Sequence, residues 1–185
     1  MKWVKIGNYI FVKMKGKKVF LRAVEMTDVN MLYAIENDVE DWRYSDNVKP
    51  FSHFAMEQYV IEAATQDICT SKQLRLMICE NNSDKVVGVI DLFDFNPLYK
   101  RAGLGILIIK DYRRKGYAHE ALQLMISYAF KKLQLKQLYC NIAADNTISL
   151  SLFKKIGFQQ TGVFKSWRYH DNVWKDELFL QLITI

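Results

Sequence analysis

Proline and glycine are scarce, with 2 and 8 residues in a chain of 185. That scarcity excludes a collagen-like chain. Half the residues are hydrophobic and a quarter charged, which argues against a disordered or low-complexity one. No stretch approaches the roughly 20 apolar residues of a membrane-spanning helix. The apolar residues around Tyr9 to Val12 are too few for the core of a signal peptide, and no small-residue cleavage site follows them. A cytoplasmic protein without a membrane partner is expected. The three cysteines, Cys69, Cys79 and Cys140, are odd in number and far apart, so neither a disulfide framework nor a zinc site is expected. They read as buried free thiols. His53, His119 and His170 lack metal-ligand spacing, and no metal is expected.

What is abundant is positive charge, with a formal net charge of +6. Its placement matters more than its size. Lys2, Lys5, Lys13, Lys15, Lys17 and Lys18 all precede Phe20, with no Asp or Glu among them, and residues 19–185 are net neutral. The chain therefore reads as a basic N-terminal extension, residues 1–18, before a neutral domain, residues 19–185. Nucleic acid is not the expected partner, because the excess charge lies outside the domain. Met14, just before Lys-Gly-Lys-Lys, is an alternative start to Met1.

Val19 to Val24 reads as a strand, and Thr27 or Asp28 can cap a helix over Val29 to Ile35. Phe54 to Ala64 has helical spacing. Gln73 to Glu80, Val86 to Phe95 and Arg101 to Ile109 read as three successive strands with short connections, an antiparallel meander. The pattern then alternates. Tyr117 to Lys132 is an amphipathic helix, and Gln137 to Ala143 is a strand of buried type. Thr147 to Ile156 is a helix capped by Asp145 or Asn146 and stopped by Gly157. Phe158 to Tyr169 and Trp174 to Ile185 are strands. With no internal repeat or linker, this is one α/β (α+β) domain with a mixed sheet.

The informative segment is Ile106 to Ala118, ILIIKDYRRKGYA. A strand ends, a basic turn containing Gly116 follows, and a long helix begins. Free N–H groups and the positive end of the helix dipole make that junction an anion site, suited to a pyrophosphate. Gly116 lets the backbone approach an anion, and Ala118 is small. The segment is neither G-x-x-x-x-G-K-[ST] nor G-x-G-x-x-G, so nucleotide P-loop and dinucleotide readings are set aside.

The turn R-x-x-G-x-A at Arg113, Gly116 and Ala118 resembles the acetyl-CoA signature of the GNAT N-acetyltransferases. Asp145 to Phe158, D-N-x-x-S-x-x-L-F-K-K-I-G-F, resembles that family's second motif. The order of elements matches as well, and the resemblance spans Val19 to Ile185. Within the family the chain looks most like spermidine N-acetyltransferases. The resemblance implies a central, splayed mixed β-sheet flanked by helices, with acetyl-CoA as acetyl donor. Arg113, Arg114, Lys115, Gly116, Tyr117 and Ala118 would hold its pyrophosphate. The strand at Ile106, Leu107 and Ile108 would pair with the pantetheine arm. Asn146 would contact the same arm, and the thioester would lie between that strand and the one at Tyr139 to Ile142.

Two positions depart from the family's habit. Phe153 stands where many relatives carry a tyrosine that can protonate the leaving thiolate. Gly103 stands where a glutamate is frequent. Ser149, one helical turn before Phe153, is the leading hydroxyl candidate. Asp94 and Asp91 are candidates for relaying a proton from the amine or orienting it. Their spacing of three puts them on opposite faces of a regular strand unless a bulge intervenes. Glu36, Asp38, Glu40, Asp41 and Asp46 fall in the segment that shapes the acceptor side of this fold, with Trp42, Tyr44 and Phe51 among and after them. Carboxylates and aromatic faces suit a polyamine. A ribosomal-protein N-terminus or an aminoglycoside also presents an amine, and a non-catalytic CoA-binding module is the contrasting class. Related polyamine enzymes are often oligomeric, so a homo-oligomer is a further expectation.

Overall fold

The computed structural model describes residues 2–6, 9–45 and 47–184, with side chains from Met14 onward. Asp46 of the acidic segment and the lysine side chains before Met14 lie outside the described residues. In chain order the first elements are strands β1 (Lys2–Ile6), β2 (Tyr9–Lys15) and β3 (Val19–Ala23). Helices α1 (Val29–Glu36), α2 (Val39–Trp42), α3 (His53–Thr65) and α4 (Ile68–Ser71) follow. Next come β4 (Leu74–Glu80), β5 (Val86–Asn96), β6 (Arg101–Ile108) and helix α5 (Tyr117–Lys131). The chain ends with β7 (Gln137–Ala143), α6 (Thr147–Ile156), β8 (Gln159–His170) and β9 (Val173–Ile183). No described helix is long and apolar enough to cross a membrane.

Two compact units are distinguished. The first comprises residues 1–23, 68–138 and 184–185. Its strands run in the order β1 to β6, each antiparallel to the next. Strand β1 pairs antiparallel with β2 from Lys2 opposite Lys13 to Ile6 opposite Tyr9, and Met14 and Lys15 of β2 face Leu21 and Phe20 of β3. Met77, Ile78 and Cys79 in β4, and Val89 and Ile90 in β5, are at most 2% exposed, so these segments are buried on both faces. Helix α5 packs on β2, β3, β5 and β6. It buries Ala121, Leu122, Met125 and Ala129 completely, the stripe its spacing dictates. Burial of Leu122 or Met125 contributes about 1.5–3 kcal/mol each. Between Phe93 and Asn96 the β5–β6 register shifts, and Asp94 in this bulge has a left-handed φ of 49°.

The second unit comprises residues 24–67 and 139–183. Helix α1 packs on α3, where the rings of Tyr33 and His53 stack at 3.8 Å. The Asn37 amide closes the intervening excursion. It accepts from the Phe51 N–H and donates to the Tyr33 and Phe51 carbonyls. Strand β9 lies between β7 and β8 and runs antiparallel to β8. The Asn146 side chain caps α6 by accepting the Ser149 N–H, and Gly157 ends it at φ 113°. Lys154 and Lys155 fill its last turn, where the dipole favours cations.

One expectation needs correction. Cys79 and Cys140 are buried, and burial pushes the Cys140 thiol up to about 12. Cys69 is exposed, because α4 is a single turn that buries no residue.

Candidate functional site

In the first unit, the end of β6 leads through Ile109 into a 3-10 turn at Lys110–Tyr112. The Ile109 N–H donates to Val87, and the Tyr112 N–H donates to Ile109. The Arg113 side chain folds back, its Nε donating to the Ile108 carbonyl at 2.8 Å. Arg114 and Gly116 then take left-handed φ angles of 64° and 83°. Alternation of this kind turns successive N–H groups toward one concavity. Among the described residues, the backbone N–H groups of Arg114 through His119 make no hydrogen bond. They run into the start of α5, where the dipole adds positive charge. The Lys115 ammonium lies 5.0 Å from the Tyr112 ring centroid. Ile106, Leu107 and Ile108 are half-buried and pair with Ile90, Val89 and Gly88 of β5.

The turn and helix start are held from below. Tyr117 is buried, and its hydroxyl donates to Glu80. That bond, chiefly, raises the Tyr117 pKa. Its side chain is therefore engaged in the fold, and its N–H is the part left for an anion. Glu120 accepts the N–H groups of Lys17, Lys18 and Val19 at 2.7–2.8 Å. Burial opposes its ionisation, but the three N–H donors and the Lys18 charge outweigh this and lower its pKa.

Asp91 forms a two-bond ion pair with Arg75 at 2.7 and 3.1 Å, and both side chains are mostly buried. Arg75 and Asp91 face each other across β4 and β5, so this carboxylate has a partner within the protein. Asp94 is exposed, in the bulge. The β5–β6 register is irregular there, between Phe93 and Asn96. Gly103 is covered by the Phe93 ring, which a Cβ at that position would overlap.

In the second unit, the Oδ1 of Asn146 is committed to the α6 cap. Its amide NH2 makes no hydrogen bond among the described residues. The half-buried Ser149 hydroxyl makes none either, so it is not tied to the preceding turn of its helix. Phe153 is a core residue, 3% exposed and edge-on to Phe158 at 5.1 Å.

The acidic segment is partly self-satisfied. Glu36 accepts from the Asn47 amide, its carbonyl accepts the Trp42 indole N–H at 2.7 Å, and Asp38 caps α2. Glu40 is exposed and Asp41 half-buried. Tyr44 carries the Arg43 guanidinium over its ring at 4.7 Å. A small cleft beside this segment is lined by Arg43, Tyr44, Asp145, Arg168, His170 and Lys175, a mixture of both charges. Lys175 donates to Asp145, and that bond, chiefly, lowers the Asp145 pKa. Arg168 pairs with the buried Glu177.

Sequence reading did not single out Lys18, Phe93, Glu120, Arg75 or the Arg168–Glu177 pair. Each acts through a partner that adjacency in the chain does not reveal. The one local signal was Gly16, where a Cβ would overlap the Glu120 carboxylate.

Residues 18–159 match the acetyltransferase (GNAT) domain family. The Bacillus subtilis protein "Probable N-acetyltransferase YjcK" is 25% identical over 184 residues, covering 92% of this chain and 97% of its own. Spermidine N(1)-acetyltransferase of Escherichia coli (strain K12) is 26% identical over 144 residues, covering 78% and 74%. The crystal structure of spermidine N-acetyltransferase from Vibrio cholerae in complex with CoA and spermine superposes with a TM-score of 0.82 at 19% identity. It covers 91% of this chain and 96% of that one. At that identity the likeness is one of fold.

Proposed function

Because the chain belongs to the GNAT acetyltransferase family, we propose that it transfers the acetyl group of acetyl-CoA to a primary amine, with a polyamine such as spermidine as acceptor. The observation that carries this reading is the run of N–H groups from Arg114 to His119 left unbonded among the described residues, within the segment that resembles the family's acetyl-CoA signature. The turn fits a pyrophosphate. It offers donors in series, basic neighbours in Arg114 and Lys115, and at Gly116 no side chain in the way. Acetyl-CoA supplies the activated acetyl thioester. The remaining work belongs to the residues of the chain.

An alkyl amine with a pKa near 10.4 is less than about 0.1% neutral at pH 7. The protein must accept its proton or lower its pKa by desolvation. Asp94, an exposed carboxylate at the irregular end of β5, is the group we assign to that proton in the first unit. In the second unit the Ser149 hydroxyl has no competing bond among the described residues and is assigned to the leaving thiolate. The Asn146 NH2 is assigned to an acceptor on the cofactor arm. The polyamine assignment draws on Asp41, Glu40 and the half-buried Trp42, and on relatives named as spermidine acetyltransferases. Those relatives also motivate an oligomer, since one solved neighbour is described as dodecameric.

A second reading is favoured by a specific observation. With Phe93 over Gly103 and Phe153 in the core, neither familiar acid–base position holds an ionisable group. A CoA-binding module without turnover would look the same there. Acetyl-CoA with a panel of spermidine, spermine, an aminoglycoside and N-terminal peptides separates the readings. Acceptor-dependent thiol release supports the enzyme, and stabilisation by acetyl-CoA without release supports the module.

A further inference from the structure

Lys18 belongs to the basic run that charge alone assigns to an extension. Its ammonium donates to the Lys115 carbonyl at 2.8 Å, and a Cβ built on Gly116 would lie 3.1 Å from it. The loop carrying Lys18 is gripped from several sides. The Glu120 carboxylate takes the N–H groups of Lys17, Lys18 and Val19. The Asn81 N–H donates to the Lys18 carbonyl at 2.8 Å, and the Asn81 side chain donates to the Gly16 carbonyl at 3.0 Å. The Gly16 N–H closes a turn onto the Val19 carbonyl. Gly16 has no side chain to displace Glu120. The backbone of Lys18 is thus held by the first turn of α5, while its side chain reaches back to the turn before that helix.

The consequence follows from peptide geometry. A trans peptide is planar, so the Lys115 C=O and the Gly116 N–H point in opposite directions. A cation holding the carbonyl on one side fixes the N–H on the other. It also engages the one dipole of that peptide that would repel an anion. We infer that Lys18 is a positioning residue for the anion-binding turn, setting the Lys115–Gly116 peptide so that the Gly116 N–H is presented to the cofactor pyrophosphate. This rests on the reading of Arg113 to Ala118 as the cofactor turn. It also moves the start of the functional domain to Gly16 or before.

The test is calorimetric titration of the full chain with CoA, alongside steady-state kinetics. In Lys18→Met the Kd for CoA and the KM for acetyl-CoA rise about tenfold, as befits a lost charged hydrogen bond. The change in kcat is smaller and the melting temperature moves little. A purely structural lysine would shift melting without that split. Lys18→Arg, which keeps a charged donor, restores most of the affinity. Glu120→Gln, which loosens the loop that holds Lys18, weakens CoA binding in the same direction. Gly116→Val reports on the underlying reading. If Gly116→Val abolishes binding while Lys18→Met leaves Kd within twofold, the inference is overturned and the cofactor turn stands. If Gly116→Val leaves Kd unchanged, the turn assignment falls and the role of Lys18 with it.

Discussion

The Phe93 ring fills the space that a side chain at Gly103 would need. The two residues face each other across β5 and β6, and the same ring comes within 3.7 Å of a Cβ built on Gly105. The lack of a side chain at Gly103 is therefore part of the packing, because an aromatic side chain on the neighbouring strand fills that space. Gly103→Glu is expected to destabilise the protein by about 1–3 kcal/mol through overpacking. Adding Phe93→Ala to that variant should recover part of the loss. Denaturant midpoints of the two variants check this. A Gly103→Glu chain as stable as the parent would show that the ring moves aside freely.

Asn146 and Ser149 separate a structural role from a chemical one. Asn146→Ala removes the α6 cap and should cost about 1 kcal/mol in unfolding. Ser149→Ala leaves that cap in place, since its N–H is the donor, and should change stability by less than about 0.5 kcal/mol. If its hydroxyl serves the thiolate, kcat falls roughly 10²-fold. Thermal melts and single-turnover rates on both variants give the comparison, and an unchanged rate in Ser149→Ala removes the hydroxyl from the mechanism.

Glu120 ties acid stability to the loop at residues 17–19. Its folded pKa is lowered from the ordinary carboxylate value, because its N–H donors and Lys18 outweigh burial. A depressed carboxyl contributes stability above its unfolded pKa and loses it as pH falls through the folded one. The stability difference between the parent and Glu120→Gln should therefore be full at pH 7 and shrink below about pH 4. Urea unfolding at pH 7, 5 and 3.5 measures it. A difference independent of pH would mean that the carboxylate charge plays no part.

The core of α5 offers a control outside any assigned role. Leu122→Ala removes a fully buried side chain and should cost about 2–5 kcal/mol. CoA affinity at a temperature where the variant stays folded should change little. Calorimetry together with a denaturation curve checks both.

Much of the secondary structure was legible because chemistry marks its ends. Asn146 and Gly157 bracket α6, Gly116 opens α5, and the turn after Glu80 separates β4 from β5. Period and caps sufficed for these. The β1–β2 pairing was not legible, because the lysines there marked only a basic extension while the backbone pairs as strands. The Arg75–Asp91 pair depends on the register of two strands, and the Phe93–Gly103 overlap depends on the register of the next two. Glu120 meets residues about a hundred positions earlier. The proposed cofactor turn could be picked out because the donors it offers are backbone groups in one continuous segment. Candidates for the acid–base roles, Ser149 and Asp94, could be named from the sequence, but their surroundings could not, since those are assembled from separate elements.

The most direct test is thiol release from acetyl-CoA, measured with and without spermidine on the intact chain. Release that depends on both substrates, with acetylspermidine formed in equal amount, is the expected result. Binding of acetyl-CoA with no acceptor-dependent thiol for any amine in the panel would contradict the account and leave a CoA-binding module in its place.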